Sequence, residues 1–570
     1  MKTIYTAEVN CRDCHKCVRI CPVKAIGIVN GHATLVANNC IFCGRCVQEC
    51  PRGAKKVIDN SYKLLDLPKD KQRILSLAPS FIAAFPEYSF EELVSNLHKI
   101  GFDYVQETAV GAEIVSYAYK AELEQAKGPL ISSCCPVTVN LIEKYYPTLV
   151  KYISPTRSPM LAHTALLREK FGQDAYIVFA GPCIGKFQEA ESYPEIVDLV
   201  ITFEHLKNLL KALPSELLNT KLPLDSLPEL VEAPATANAR FFPIRGGVIK
   251  SFMFSEETDI DIFSVSGIED CMEVFDNLVS GDIKPRFIEA MACRGGCISG
   301  PCMLKNKCQP VKRMQVIKFA TLSYSNFKDY QEFLPKIKRT FTPKPLKLKE
   351  PTEREIRDIL RKIGKYSPAD EKNCGACGYN TCREKAIATF QGLAEADMCI
   401  PYMRSKAESL SNLIVDTSMD GVIVVDSKLL VQDFNQRAEM FFDIAKEQIK
   451  GKSLATLIDC TDIVEAFYGN VRKEVMAKKY KEFPFIFDLR IMPIAEHNLT
   501  IIIFKDVTEI EQQKKELLEM KLSTIDKATS IINKQMQVAQ EIAGLLGETT
   551  AETKSALLEL ITVINTKGDK

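Results

Sequence analysis

Two cysteine runs of identical spacing constrain this chain more than any other feature. Cys11, Cys14, Cys17 and Cys21 are followed by Pro22, and Cys40, Cys43, Cys46 and Cys50 by Pro51. One Cys-x2-Cys-x2-Cys-x3-Cys-Pro unit therefore occurs twice, at an offset of 29 residues. Thiols this crowded either pair as disulfides or hold metal. The sequence opens MKTIYTAEVNC, without an apolar signal core, and no run approaches the length that spans a bilayer. The expected compartment is a reducing cytoplasm, in an organism that avoids oxygen, and the expected chemistry is metal binding. Lys plus Arg equals Asp plus Glu at 73 each, so no global basic field recruits nucleic acid or an anionic membrane. The 570 residues leave room for several domains at roughly 150 residues each.

The repeated unit resembles the bacterial ferredoxin pattern, in which the fourth Cys of each run serves the other cluster. That resemblance assigns Cys11, Cys14, Cys17 and Cys50 to one 4Fe-4S cube, and Cys40, Cys43, Cys46 and Cys21 to a second. Two tetrahedral zinc sites would need neither the crossed spacing nor the prolines. Residues 1–60 form this two-cluster module.

From about residue 70 to 340, amphipathic and apolar segments alternate, as in an α/β domain. Ile74 to Pro79 reads as a buried strand. Three cysteine loops follow short apolar runs: Ser132-Ser133-Cys134-Cys135-Pro136, then Gly181-Pro182-Cys183-Ile184-Gly185-Lys186-Phe187-Gln188-Glu189, then Glu289 to Cys302, EAMACRGGCISGPC. In the last, Gly295 and Gly296 separate Cys293 from Cys297 and let backbone come close to an inorganic body. All three loops are expected to converge at one edge of a sheet. The alternative is a set of inert core cysteines.

These loops, in this order behind this module, resemble the three signatures of the iron-only (FeFe) hydrogenases, roughly TSCCPxW, MPCxxKxxE and ExMACxxGCxxGGGQP. The resemblance implies that Cys135, Cys183, Cys293 and Cys297 hold a 4Fe-4S cube. It further implies that Cys297 bridges to a diiron unit carrying CO, cyanide and a dithiolate, the whole being the H-cluster. It casts Cys134 as a proton shuttle, and a thiol with an unperturbed pKa near ~8.5 suits that work near neutral pH. Lys186 is cast as donor to a bound cyanide, Glu189 as a relay carboxylate and Ser154 as a relay serine. The chain also departs from the pattern. Gly181 stands where a bulky Met covers the diiron site, Val137-Thr138 replace the residues ending in Trp, and Ser299 to Cys302 replace the Gly-rich run. Cys302 and Cys308 are extra thiols, and Glu113 is the nearest acid where outer relay glutamates are expected. Intact ligands in altered surroundings suggest cluster chemistry without fast turnover.

A basic, proline-bearing connector, Lys336 to Arg354, leads to Cys374, Cys377, Cys382 and Cys399. This Cys-x2-Cys-x4-Cys-x16-Cys set, within residues 355–405, resembles a small helical 4Fe-4S domain of corrinoid iron-sulfur proteins. A four-Cys zinc site is the other reading. Residues 407–508 resemble a PAS sensor domain: a strand at Asp420 to Asp426, a helix opening at Phe434, paired strands at Phe485 to Ile494 and Leu499 to Phe504, and a closing Asp506-Val507-Thr508. No cofactor signature is present, and His497 in a predicted turn is not a haem ligand. A PAS fold used purely for dimerisation is the alternative. Across residues 509–570, Leu518, Ile525, Ile532, Ala539 and Leu546 recur every seven residues, with Leu522 and Met536 offset by four. This predicts a coiled coil, broken at Gly547 and followed by an amphipathic helix over Ala551 to Ile564. No histidine lies in this tail, which excludes a fused histidine-kinase output.

The fold expectation is thus multidomain α/β and α+β. The leading functional expectation is a dihydrogen or redox sensor that signals through the PAS domain and coiled coil to a kinase, phosphatase or regulator, as a homodimer. The others are a catalytic hydrogenase exchanging electrons with ferredoxin, interconverting protons and dihydrogen, and an iron-sulfur carrier in which the diiron unit is never installed.

Overall fold

The computed structural model describes residues 3–29, 31–64, 71–213, 237–253, 261–321, 330–546 and 551–566. The chain divides into two compact units, residues 1–403 and 404–570.

In the first unit, β1 (Ile4–Thr6) pairs antiparallel with β4 (Lys55–Val57), and β2 (Ile26–Val29) with β3 (His32–Leu35). Between them the backbone repeats as the sequence does. Left-handed residues fall at Asp13, His15 and Lys24, and again 29 residues on at Phe42, Gly44 and Gly53. His15 and Gly44 each stand between the second and third thiols of their run. At Gly44 the turn also lets the module press on its neighbour, since a Cβ there would lie 2.6 Å from Ile184 Cδ1 and from Pro301.

The α/β domain is built on two parallel sheets. One has the order β6-β5-β8-β9, from Tyr104–Glu107, Arg73–Leu77, Tyr176–Gly181 and Leu199–Thr202. The other has the order β10-β11-β7, from Ile262–Ser266, Phe287–Met291 and Leu130–Ile131. Nearly every residue of β5, β6, β8, β9 and β11 is buried, as continuous apolar strands covered on both faces must be. The Cys134-Cys135 and Cys293–Cys297 loops leave the three-stranded sheet, while the Cys183 loop leaves the four-stranded one. The single sheet edge expected from the sequence is therefore two sheets whose C-terminal strand ends meet, the place where parallel α/β folds build their sites.

Helix Pro159–Phe171 packs on Ala109–Gln125 behind these strands. Their polar link is a buried network: His163 Nδ1 lies 2.8 Å from Ser76 Oγ, His163 Nε2 2.8 Å from Gln106 Oε1, and Ser76 Oγ 2.7 Å from Thr108 Oγ1. The four-Cys segment folds as helices Glu353–Lys362 and Cys382–Phe390 with short turns. It docks on the first module where Lys24 Nζ donates to Gly378 O at 2.7 Å and Ile28 N to Leu393 O at 3.0 Å.

The second unit holds a five-stranded antiparallel sheet in the order β13-β12-β16-β15-β14, from Val431–Phe434, Gly421–Asp426, Leu499–Asp506, Ile486–Ile494 and Lys473–Lys479. Its core is aromatic: Phe434, Phe441, Phe442, Phe487 and Phe504 are all buried. Asn435 fixes the entry to helix Gln436–Phe442, accepting from Ala438 N at 3.0 Å and from Val422 N at 2.8 Å. β13 and β14 escaped the sequence reading, because Val431–Phe434 is short and Lys473–Lys479 carries three lysines and a glutamate on a half-exposed edge. Helices Thr508–Leu546 and Ala551–Thr566 follow. Leu518 and Leu522 on the predicted seam are more than half exposed. Gly547, expected to break the helix, lies outside the described residues.

Candidate metal centre

Where the two sheets meet, Cys134, Cys135, Cys183, Cys293 and Cys297 line one cavity of about 100 Å³. That is several times the ~30 Å³ a water molecule occupies in the liquid, so it suits an inorganic body. Its other walls are mostly apolar, among them Pro79, Val137, Met160, Phe179, Phe242 and Met291. The backbone comes close at Gly296, whose φ is +99° and where a Cβ would sit 2.4 Å from Pro243 O. A side chain is excluded there twice, by strain and by space. At Gly181, where the resemblance leads one to expect a bulky side chain, a Cβ would lie 2.8 Å from the ring of Phe179. Phe179 fills the volume that a longer residue would take.

The thiols are strongly perturbed. Burial pushes Cys183 up to about 11, and raises Cys293 and Cys297 well above the ordinary thiol range, with neighbouring cysteine charges adding to it. Burial, then the charges of Cys135 and Glu289, pushes Cys134 up to about 12. The ordinary thiol value expected for Cys134 from sequence is thus corrected: its proton stays on sulfur across the neutral range. A donor set of this kind releases protons when it takes metal.

The polar groups at the cavity are few. Lys186 lines it, and its Nζ donates to Ser158 Oγ at 2.8 Å and to Glu189 Oε2 at 2.7 Å. Glu189 also accepts from Ser158 at 2.9 Å and from Arg339 at 3.2 Å. Two cations and a hydroxyl hold this buried carboxylate, so it orients Lys186. Sequence reasoning missed Ser80, a buried serine on the cavity wall whose Oγ has no hydrogen-bond partner. The sequence gives it no signal of its own, since a serine following a buried strand, as in Ala78-Pro79-Ser80, is ordinary. It also missed Glu122. Ser154 Oγ donates to Glu122 Oε2, and Thr156 Oγ1 to Oε1 at 2.7 Å. Glu122 lines an open groove with Lys151, Lys338 and others. Glu113, the acid nearest the expected position, is buried in helix Ala109–Gln125.

Twelve of the remaining thiols gather in three further groups. Cys11, Cys14, Cys17 and Cys50 line one cavity together. Cys40 and Cys46 feel each other and Cys21, and Cys43 feels all three. Cys50 thus stands with Cys11, Cys14 and Cys17, and Cys21 with Cys40, Cys43 and Cys46. Cys43 in turn bears on Cys293. Cys374, Cys377, Cys382 and Cys399 line a small cavity with Lys365, Lys372, Tyr379 and Lys385. Cys302 is buried and Cys308 exposed, and neither lines these cavities. Four-thiol sets of this kind fit iron-sulfur cubes. At the main cavity the extra donors Cys134, Lys186 and Ser80 fit a larger group with polar ligands. No described helix is long and apolar enough to cross a membrane.

Comparison with known proteins agrees in outline. Residues 71–301 match the family model of the iron only hydrogenase large subunit, C-terminal domain, residues 10–55 a 4Fe-4S dicluster domain, and residues 370–401 a putative Fe-S cluster domain. The periplasmic [Fe] hydrogenase large subunit of Nitratidesulfovibrio vulgaris is 26% identical over 298 residues, covering 43% of this chain and 70% of that one. Iron hydrogenase 1 of Clostridium pasteurianum is 24% identical over 308 residues, covering 43% and 52%. The cytosolic Fe-S cluster assembly factor NAR1 of Yarrowia lipolytica is 29% identical over 186 residues, covering 27% and 38%. The chain thus spans about half of the second relative and little more than a third of the third. It is an iron-sulfur protein with a hydrogenase-like domain.

Proposed function

We propose that this chain handles dihydrogen at an H-cluster and uses the result as a signal. The observation that carries the reading is the meeting of Cys135, Cys183, Cys293 and Cys297 from three distant loops at one cavity, with a fifth thiol, Cys134, among them. The bound group would supply reversible interconversion of protons and dihydrogen. Around it, Cys134 holds a proton at Sγ, while Lys186 Nζ and Ser80 Oγ donate to polar ligands. Phe179, Met160 and Met291 exclude water. Cys11, Cys14, Cys17 and Cys50, and Cys21, Cys40, Cys43 and Cys46, would each hold a 4Fe-4S cube, and Cys374, Cys377, Cys382 and Cys399 a third. Protons, dihydrogen and a ferredoxin-type electron carrier are the partners of such chemistry.

The second unit is read as a PAS domain with a coiled-coil output. It is joined to its helix through Thr508, which accepts from Ile486 N at 2.8 Å and donates to Asp506 at 2.6 Å. Exposed Leu518 and Leu522 favour a second copy of the same helix as their cover. The output partner would be a cytoplasmic kinase, phosphatase or regulator, biased by a state that differs in energy between oxidised and reduced clusters.

Likeness to assembly factors favours a second reading, an iron-sulfur carrier in which the diiron unit is never installed. Infrared spectroscopy of protein matured with the diiron-assembly machinery separates the two. The first reading expects bands of metal-bound CO and cyanide that differ between dihydrogen and argon. No such bands would establish the carrier reading, and bands identical under the two gases would defeat gas handling.

A further inference from the structure

The cavity of Cys374, Cys377, Cys382 and Cys399 contains a buried lysine without a hydrogen-bond partner among the described residues. Lys385 stands three residues after Cys382 in helix Cys382–Phe390 and lines that cavity with the four thiols. The residue is only 1% exposed, and its Nζ has no hydrogen-bond partner among the described residues. The other lysines near the two docked modules are differently placed. Lys365 Nζ donates to Asp370 O at 2.6 Å. Lys372 is exposed. Lys24 Nζ is spent on three carbonyls, those of Val18, Arg19 and Gly378. Among the described lysines lining this cavity, Lys385 is the one that is buried with its donors unclaimed.

A buried ammonium without a partner costs several kcal/mol after relaxation. A chain keeps one there if anionic charge arrives to meet it. Burial lowers the pKa of Lys385, and the charges that oppose this are, in order, those of Cys399, Cys377, Cys382 and, last, the exposed Asp397. Four thiolates around a metal body supply such charge, and they do so whether the body is zinc or an iron cube. The difference is that an iron cube takes up an electron. Reduction adds one negative charge to the site without making or breaking a bond or moving a proton. A fixed cation a few ångströms away, screened by neither water nor salt, stabilises the reduced form more than the oxidised one.

We propose that Lys385 is the built-in counter-charge of the four-cysteine site and raises the reduction potential of the cluster held there. The proposal rests on the iron-sulfur reading of that site. It makes this module an electron-accepting station beside the ferredoxin-type module, which it touches through Lys24 and through Tyr379, a buried phenol that feels both Cys377 and Cys21.

The test is an EPR-monitored potentiometric titration of the full chain, reconstituted anaerobically and reduced with dithionite. The signal of this site is identified by its loss in Cys382→Ala. Lys385→Gln and Lys385→Met should each lower the ratio of reduced to oxidised cluster at least tenfold at the wild-type midpoint, about 59 mV for a one-electron couple. Lys385→Arg, and Lys362→Gln on the exposed face of the neighbouring helix, should leave it unchanged. An unaltered midpoint in cluster-loaded Lys385→Gln and Lys385→Met overturns the proposal while leaving the iron-sulfur reading intact. Zinc, or no cluster, in the wild-type site overturns both. Should neither neutral variant load a cluster, the wild-type protein still decides. Its midpoint should hold steady as ionic strength rises, because a buried charge is not screened. A marked salt dependence would move the compensating charge to exposed Lys372 and refute the assignment.

Discussion

Acid should loosen the wall behind the candidate cavity through one residue, His163. This imidazole is fully buried, and burial alone holds its pKa down at about 3. In the unfolded chain the same ring titrates near ~6.5. A histidine whose folded pKa lies below its unfolded one favours the folded state only while both forms are neutral. As pH falls through ~6.5 the unfolded chain takes up a proton that the folded one refuses, and stability is lost progressively until pH reaches the folded value. By linkage the loss is about 0.2 kcal/mol at about pH 7 and about 2 kcal/mol at about pH 5. His163 bridges Ser76 on β5 and Gln106 on β6 from helix Pro159–Phe171, so the loss should fall locally. Amide hydrogen exchange followed by mass spectrometry, corrected for intrinsic rates, would read it in peptides from Pro159–Phe171 and Ala109–Gln125. His163→Gln keeps one donor and one acceptor but cannot take the proton, so its opening free energy should be lower at neutral pH and flat toward acid. A wild-type response that is equally flat, or a slope that persists in the variant, would refute the assignment to His163.

Other substitutions probe the site and its supports. Gly296→Ala meets Pro243 O at 2.4 Å with φ at +99°, a combination worth about 1–3 kcal/mol or more. Iron analysis and EPR should show the main cavity unloaded with the other cubes kept. Glu189→Gln leaves Lys186 and Arg339 facing a neutral amide at about 3–5 kcal/mol, which accelerated exchange over Gly185–Glu191 would report. Glu122→Gln should slow dihydrogen–deuteron exchange by the ~100-fold or more that a proton-transfer group contributes, whereas an unchanged rate would remove Glu122 from the path. Thr508→Val deletes both hydrogen bonds at the start of the long helix, about 1 kcal/mol each, and the Ile486 amide should lose protection.

The cysteine spacings made the metal sites legible because thiols are chemically conspicuous and their order along the chain sets which can share a cube. Strands nearby were legible too, since Ile74 to Pro79 and the run that ends at Ala292, just before Cys293, read as strands. Hidden from the sequence was the partition into two sheets. Nothing in β7, a pair of residues, says that it lies beside β11 and away from β8. Ser80 was hidden because a serine after a strand is ordinary until its hydroxyl is found unpartnered at a cavity wall. Glu122 was hidden because its identity depends on Ser154 and Thr156, which only the folded chain brings to it. The state of Cys134 was misjudged because burial, absent from any motif, decides it.

The polar groups between Cys134 and the groove at Glu122 bear on which functional reading is stronger. Tyr119 is fully buried, and burial raises its hydroxyl well above the ordinary phenol range, with the charge of Cys134 next in effect and that of Glu122 contributing. Its oxygen accepts from Ser133 N at 2.9 Å and lies 3.0 Å from Ser133 Oγ. Ser133 Oγ then donates to the Thr156 carbonyl at 2.6 Å, a backbone acceptor that cannot hand a proton on. Glu122 takes its own bonds from Ser154 and Thr156 Oγ1 on the far side of that carbonyl. The hydroxyl chain from the cavity therefore turns aside before it reaches the acid, and a proton crosses only if Ser133 or Tyr119 rotates or a water bridges the step. Fast turnover requires a continuous relay, because each proton consumed at the metal must be replaced within a catalytic cycle. A site that needs only to come to equilibrium with dihydrogen, and to report the result, tolerates the interruption. The same dead end at the Thr156 carbonyl that would handicap a bulk hydrogenase thus favours the sensing reading proposed above over the catalytic one.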